Sequence, residues 1–291
     1  MHTIHRRGFL VLAGAGLYST ALAANVSEGI TARQVIERIQ KNVGVPWRSE
    51  TVDTFKAGDP ETIVKGIATS FSATLDVCQR ALAAGKNLLI MHEPTFYNHT
   101  DETTNLRGEI YEAKRNFIEK NGLVVWRFHD HWHARRPDGI LAGVVEALGW
   151  RGYGSSERPH LFSIPPTTLE GLALFMGRHL NASAPRAIGN PRMPIRRVIL
   201  MPGFNNFPGI KEALDDPNVD ALVIGETREW EGIEYARDCI TAGKKKGLIV
   251  LGHVPSEERG MEECARWLKT FVTEVPIQYL PGGDPFWRPR V

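Results

Sequence analysis

Histidine and carboxylate side chains follow four short apolar segments of the chain within three residues. These segments are residues 88–91, 123–126, 221–224 and 248–251. Short apolar runs rich in branched residues predict buried strands. Because the carboxyl ends of parallel strands meet at one edge of a sheet, the polar side chains behind them should lie close together. Imidazole and carboxylate groups bind divalent metals, so the pattern predicts a metal site at these strand ends.

Six side chains at three of these strand ends are candidate metal ligands: His92, Glu93, His129, His133, His253 and Glu257. His129 and His133 are four residues apart, so one helical turn would place both on the same face. His253 and Glu257 have the same spacing, and Ser256 between them is predicted to cap a helix. Six groups exceed the needs of one tetrahedral ion, which indicates two ions that share a carboxylate.

The ligand types indicate which metals and which chemistry to expect. No cysteine lies in these motifs, so Zn, Fe, Mn or Co is favoured over a thiolate site. Two divalent ions of this kind activate water for hydrolysis. Glu226 and Asp130 are the predicted proton-handling residues. Glu226 could instead bind metal or hydrogen-bond a neighbouring loop, and Asp130, like His131, could orient a ligand imidazole.

Three functions remain open at this point. The first is a metal-dependent hydrolase acting on an amide, phosphoester or cyclic amidine. The second is a non-catalytic protein that stores or delivers metal, or serves as a scaffold, outside the cytoplasm. The third is a structural α/β protein in which the histidine cluster is incidental, because a single histidine in a loop is more often a hydrogen-bonded structural residue.

Composition limits the partners of the protein. The 291 residues carry a formal net charge of +2, from 35 basic and 33 acidic residues. This balance gives no electrostatic basis for binding nucleic acid or an anionic membrane surface. Three cysteines rule out a disulfide framework.

The N-terminus has the features of an export signal. Arg6 and Arg7 precede Phe9-Leu10 and an apolar, glycine- and alanine-rich stretch that ends in a small-residue cleavage pattern before Ala24. Residues 1–24 are therefore interpreted as a Tat-type signal peptide, which predicts a periplasmic protein with no stable membrane association after cleavage. An uncleaved anchor, or a basic leader without this meaning, is the alternative.

Predicted strands and helices alternate along the mature chain, which favours an α/β fold with mostly parallel sheets. The polar segment after residue 150 is the best internal boundary. We expect residues 25–150 and 226–280 to form the main metal-binding lobe and residues 151–225 a smaller second lobe. Residues 281–291 should form an irregular tail.

The order of these motifs resembles the NGG-interacting-factor-three-like family, which includes dinuclear metal-centre hexameric proteins and proteins described as type 2 GTP cyclohydrolase I. The resemblance spans roughly residues 66–271, and its most specific part is Gly252-His253 followed by Glu257. Two positions depart from the family pattern. Glu93 stands where the second histidine of His-His-Pro is usual, and His133 stands where an aspartate is usual.

The resemblance implies two interlinked α/β lobes, a toroidal homohexamer and a two-metal site that faces an inner cavity. The two departures roughly conserve ligand number and charge, and they indicate a divergent subfamily. The residues themselves do not support a cyclohydrolase acting on a nucleotide, because the chain has neither a cysteine-rich zinc site nor a phosphate-binding glycine loop.

Overall fold

The computed structural model describes residues 29–287, in which helices and strands alternate. Helices α1–α9 span Ala32–Asn42, Leu75–Ala83, Glu109–Lys120, Asp130–Ala134, Gly139–Leu148, Leu169–His179, Phe207–Asp215, Glu234–Thr241 and His253–Leu268. Strands β1–β10 span Phe55–Ala57, Ile67–Ser70, Leu88–Met91, Val124–Arg127, Leu161–Thr168, Arg186–Ile188, Pro194–Phe204, Ala221–Glu226, Gly247–Val250 and Ile277–Tyr279. The predicted signal peptide lies outside the described residues. Within residues 29–287, no helix has both the length and the hydrophobicity needed to cross a membrane.

The first sheet has five strands in the order β1-β4-β3-β2-β10. Strands β2, β3 and β4 are buried along their whole length and pair in parallel, so that Met91 lies opposite Ser70 on one side and Arg127 on the other. Strand β10 adds a parallel edge and β1 an antiparallel edge. Helices α1 and α9 cover one face, and α2 and α3 cover the other. The loops after β3 and β4 therefore emerge side by side.

The second sheet has five strands in the order β5-β7-β8-β9-β6. Its central strands β7, β8 and β9 are parallel, and both edge strands are antiparallel. Helices α5 and α6 pack on one face, and α7 and α8 pack on the other. A single π-helical turn, Glu229–Ile233, connects β8 to α8.

Helix α9 links the two lobes. Its first turn begins directly after β9 of the second sheet, and its apolar face then packs in the core of the first sheet through Met261 and Cys264. Helix α5 crosses α9 at very short range, because a Cβ atom on Gly143 would lie 2.2 Å from the carbonyl oxygen of Arg259. Glycine at this crossing lets the two backbones come into contact.

The structure confirms the predicted α/β fold with two sheets of mostly parallel strands. The sheet pairing differs from the predicted division of the chain in one respect. The segment 226–280 was expected in the first lobe, but β9 pairs with β8 and β6 in the second sheet, and only β10 returns to the first. A short strand-helix-strand connection through α8 places β9 beside β8. The three cysteines are buried free thiols.

Candidate metal centre

The six candidate ligands come together where the first sheet meets the start of α9. His92 and Glu93 follow β3, and His129 immediately precedes α4. His133 lies within α4, and His253 and Glu257 lie in the first turns of α9. Two sets of donor atoms each lie within 4.8 Å of one another, and they are His92 with His129 and His133, and His92 with Glu93 and Glu257. The convergence predicted from the strand ends is therefore present in the structure.

His92 has a ring nitrogen that requires a partner the protein does not supply. The side chain is completely buried, and Nδ1 donates a hydrogen bond to the carbonyl oxygen of Phe128 at 3.2 Å. Nε2 is then the unprotonated nitrogen. It lies 3.3 Å from Glu257 Oε2 but makes no hydrogen bond within the described part of the chain. A buried ring nitrogen left in this way is costly, and a metal ion would satisfy it.

The other three histidines are oriented in the same way as one another. Each directs Nδ1 to a carboxylate, which accepts its proton, and turns Nε2 toward the glutamates of the cluster, where it could bind metal. The three pairs are His129 with Asp130 at 2.9 Å, His133 with Asp138 at 2.9 Å, and His253 with Glu226 at 3.1 Å. This arrangement of carboxylate, imidazole and open Nε2 is typical of histidines that bind metal.

Two glutamates lie among these Nε2 atoms. Glu257 Oε2 lies 3.1 Å from His253 Nε2, and Oε1 lies 3.9 Å from His133 Nε2, so its two oxygens face different histidines. Glu93 Oε1 lies 3.4 Å from His253 Nε2 and 3.7 Å from His129 Nε2. Arg127 holds the other oxygen of Glu93 at 3.2 Å. Glu257 therefore offers its two oxygens to different parts of the cluster, whereas Glu93 offers one oxygen.

The electrostatics of the cluster favour a cation. Burial alone would raise the pKa of Glu93, but the hydrogen bond with His253 and the nearby imidazole of His92 hold that pKa at about 2. Glu257 is also buried, and its pKa is held well below the usual value by His92 and His253. Burial lowers the pKa of His253, but hydrogen bonds with Glu226, Glu257 and Glu93 outweigh it and raise that pKa. The carboxylates stay ionised and concentrate negative charge here.

The second lobe closes the cluster through Gly203 at the end of β7. Gly203 has a φ of +74°, and a Cβ atom at this position would lie only 2.0 Å from Glu257 Oε1. Its N–H donates to Ser256 Oγ at 2.9 Å, and that hydroxyl donates to the carbonyl of His253 at 2.7 Å. Ser256 thus links the two lobes within α9 and is not the predicted helix cap, since the helix already begins at His253.

Glu226 and Asp130, the two predicted proton-handling residues, both lie behind a ligand imidazole. Asp130 uses one oxygen for His129, and the other accepts from Thr51 Oγ1 at 2.8 Å and the Val52 N–H at 3.2 Å. Glu226 is about half exposed and uses only Oε1, for His253. Of the two, Glu226 is the one that retains an oxygen without a partner in the described chain.

His131 does not contact the candidate centre. It is fully buried, its Nδ1 donates to Asp53 Oδ2 at 2.7 Å, and its ring stacks on Trp47 with centroids 3.7 Å apart. Asp53 also accepts from the N–H groups of His129 and Asp130 at 2.6 and 2.9 Å. Asp53 therefore caps the start of α4 and fixes the position of His129, while His131 donates to Asp53 from within the helix.

Sequence reasoning missed the roles of Asp53, Arg127, Asp138 and Gly203 at this site. Asp138 caps α5 through one oxygen, and its second oxygen accepts from His133 Nδ1. Its position five residues after a candidate ligand was a signal that could have identified it. Asp53 and Gly203 lie far from the ligands in sequence, and no local pattern marks them.

The fold and this cluster define an α/β protein with histidine and carboxylate groups that could hold metal between two lobes. The chain belongs to the Duf34/NIF3 (NGG1p interacting factor 3) family, whose sequence profile matches residues 27–281. A similar curated protein is the GTP cyclohydrolase 1 type 2 homolog of Chlamydia pneumoniae, which is 25% identical over 240 residues covering 79% of this chain and 89% of the relative.

Solved structures show the same fold at low sequence identity. A Bacillus cereus protein related to NIF3 aligns with a TM-score of 0.70 at 13% identity, covering 88% of this chain and 98% of that one. A hypothetical protein of Staphylococcus aureus aligns with a TM-score of 0.69 at 16% identity, covering 90% and 100%. These alignments support the two-lobed architecture across nearly the whole chain.

Proposed function

We propose that this protein is a metal-dependent hydrolase with two divalent ions. The observation that carries the proposal is the completely buried His92 Nε2, which has no hydrogen-bond partner in the described chain and faces two ionised glutamates. The residues that would hold the ions are His92, Glu93, His129, His133, His253 and Glu257. An all-nitrogen and oxygen set of this kind fits Zn, Fe, Mn or Co.

The donor atoms support two ions better than one. Each imidazole Nε2 has a single lone pair and serves one ion, and four of them converge here with two carboxylates. Glu257 faces His253 with one oxygen and His133 with the other, so it is placed to be shared. Bound ions would supply Lewis acidity and lower the pKa of a water molecule, so that it attacks a substrate near neutral pH.

The protein's own groups would orient the site and move a proton. Asp130, Asp138 and Glu226 hold three imidazoles in the tautomer that presents Nε2. Glu226 is the best candidate for accepting a proton from water, because one of its oxygens is unused and it is exposed to the solvent side. The hydrogen bond from His253 lowers the pKa of Glu226, so it is ionised and able to accept.

Two further features belong to the same proposal. The twin-arginine pattern at residues 6–7 supports export by a Tat-type route to the periplasm, with the ions inserted before export. The family resemblance supports assembly into a homohexamer. The name of the Chlamydia pneumoniae relative supports hydrolysis as the reaction class, and we do not extend it to a nucleotide substrate.

The proposal is tested by a hydrolysis screen of the metal-loaded protein against amide, phosphoester and cyclic amidine substrates. Activity should disappear on chelation, return on addition of Zn, Mn, Fe or Co, and be lost in His253→Ala. The matched control is His179→Ala, which changes an exposed histidine on α6 that hydrogen-bonds only its own helix. Stoichiometric, exchangeable metal without turnover across the panel would instead support a metal-storage or scaffold protein.

A further inference from the structure

A cavity of about 420 Å³ opens beside His133, between the second sheet and the start of α5. We call it the His133 cavity, and its apolar lining includes Ile140, Leu161, Ile199 and Met201. Its volume lies in the range of small-molecule sites. Since His133 forms part of the wall, a molecule with one group at the candidate metal centre would place its remainder in this cavity.

Asn205 contributes a hydrogen-bond acceptor to the His133 cavity. The residue is 6% exposed, and its Nδ2 donates to the carbonyl oxygens of Met201 and Gly203 at 2.8 and 2.9 Å. These two carbonyls fix the orientation of the amide, because only the NH₂ group can donate to them. Oδ1 is left without a partner in the described chain.

His160 contributes a second acceptor for the same physical reason. Its Nδ1 lies 3.0 Å from the carbonyl oxygen of Leu200, which can only accept, so Nδ1 carries the proton. Nε2 is then the nitrogen that can accept a hydrogen bond. It makes no hydrogen bond to the part of the chain that the structure describes.

Glu212 and Arg158 are charged side chains that line the His133 cavity, and they differ in whether they form an ion pair. Glu212 on α7 lines the cavity, and its carboxylate makes no hydrogen bond or ion pair within the described residues. Arg158 also lines the cavity, but its Nη1 lies 2.6 Å from Asp216 Oδ2. The charge of Arg158 is therefore paired with Asp216, and the charge that the cavity presents without a partner in the described chain is the Glu212 carboxylate.

We propose that the His133 cavity is the substrate-binding site and that it selects a planar, partly apolar molecule bearing N–H donors, such as an amidine, an amide or an amino-substituted heterocycle. Glu212 and His160 are exposed to water in the free protein, so a ligand that covers these acceptors must replace the hydrogen bonds that water makes with them. A ligand that supplies N–H groups is therefore favoured over one that supplies only acceptors. The inference rests on the proposed function only in taking the metal centre as the place of reaction.

The test uses three probes of the same shape on the metal-loaded full chain. Benzamidine carries only donors, benzamide carries a donor and an acceptor, and benzoate carries only acceptors. Calorimetric titration should show benzamidine binding, and Glu212→Gln should weaken it about tenfold, because a charge-assisted hydrogen bond is lost. The metal content should not change. The matched control, Glu170→Gln, changes an exposed glutamate on α6 and should leave binding unaltered.

Benzoate can also bind metal ions directly, so the effect of the substitutions decides the result. Benzoate affinity should stay the same or rise in Glu212→Gln, whereas benzamidine affinity should fall both there and in His160→Leu. Absence of benzamidine binding would overturn the inference. So would benzamidine binding that is insensitive to both substitutions, or a benzoate affinity that falls in parallel with that of benzamidine.

The outcomes separate this inference from the proposed function. Benzamidine binding that depends on Glu212, in a protein that turns over none of the substrates screened, would retain the cavity and contradict the hydrolase. Conversely, metal-dependent turnover whose KM is unchanged by Glu212→Gln and His160→Leu would retain the hydrolase and overturn the assignment of the cavity.

Discussion

Arg127 is a buried cation directly behind the candidate metal centre, and its replacement by methionine should destabilise the metal-free protein strongly. The side chain is 0% exposed. Its Nη2 lies 3.2 Å from Glu93 Oε2, its Nε donates to the carbonyl of His92 at 3.0 Å, and its Nη1 lies 3.7 Å from Asp101 Oδ2. Methionine preserves much of the length of the side chain but none of these interactions.

The magnitude follows from the charges left behind. Removing one partner of a buried ion pair costs about 3–5 kcal/mol, because the remaining charge stays buried. Lys56 remains 3.6 Å from Asp101 and His253 remains 3.4 Å from Glu93, so each carboxylate loses only one of its cationic partners, and we expect the lower end, about 3 kcal/mol. For a chain of this size that corresponds to a fall in Tm of roughly 6–12 °C. The loss of unfolding free energy is measured by urea unfolding of the metal-free protein, monitored by tryptophan fluorescence.

A double-mutant cycle identifies the cause. Glu93→Gln removes the unpaired charge, so Arg127→Met in that background should cost less than alone, with a coupling of about 1–3 kcal/mol. Arg115→Met removes an exposed arginine that pairs only along its own helix and should change stability little. A loss below about 1 kcal/mol for Arg127→Met, or additive effects in the cycle, would refute the assignment of Arg127 as the counter-charge of Glu93.

Three further substitutions test individual contacts. Gly243→Ala should cost about 1–2 kcal/mol in unfolding experiments, because its φ is positive while its surroundings are open. Gly203→Ala should cost more than Gly243→Ala and should alone lower metal content, because its Cβ atom would also collide with Glu257 Oε1. Asp138→Asn should preserve the cap of α5 but offer an N–H to His133 Nδ1, so the proton of the imidazole moves to Nε2. Metal affinity should then fall roughly 10–100-fold, measured by competition with a chelator. His131→Ala should reduce unfolding free energy by about 1–3 kcal/mol and leave metal content unchanged by elemental analysis.

Local patterns in the sequence were sufficient to predict the strands and the residues that follow them. Short apolar runs predicted β3, β4, β8 and β9, and the spacing of four predicted that His253 and Glu257 share a helical face. The alternation of elements predicted the α/β class, which the structure confirms. These features depend on residues that are close together in the sequence.

Long-range packing could not be predicted in the same way. Asp53 caps α4 from 76 residues before His129, and Gly203 approaches Glu257 from another sheet. Neither contact leaves a periodic signal, because each depends on how the two lobes pack. The pairing of β9 with the second sheet also depends on packing. The residues that follow β9 lie in the candidate metal centre beside the first sheet, whereas β9 itself pairs with β8 in the second sheet.

The most direct test of the central claim is elemental analysis of the protein lacking residues 1–23, purified without added metal. The comparison is the double variant His253→Ala, Glu257→Ala, which removes the two ligands contributed by α9. The account predicts about two transition-metal ions per chain in the unaltered protein and their loss in the variant. Absence of metal from both proteins, even after reconstitution with Zn, Mn, Fe or Co, would contradict it.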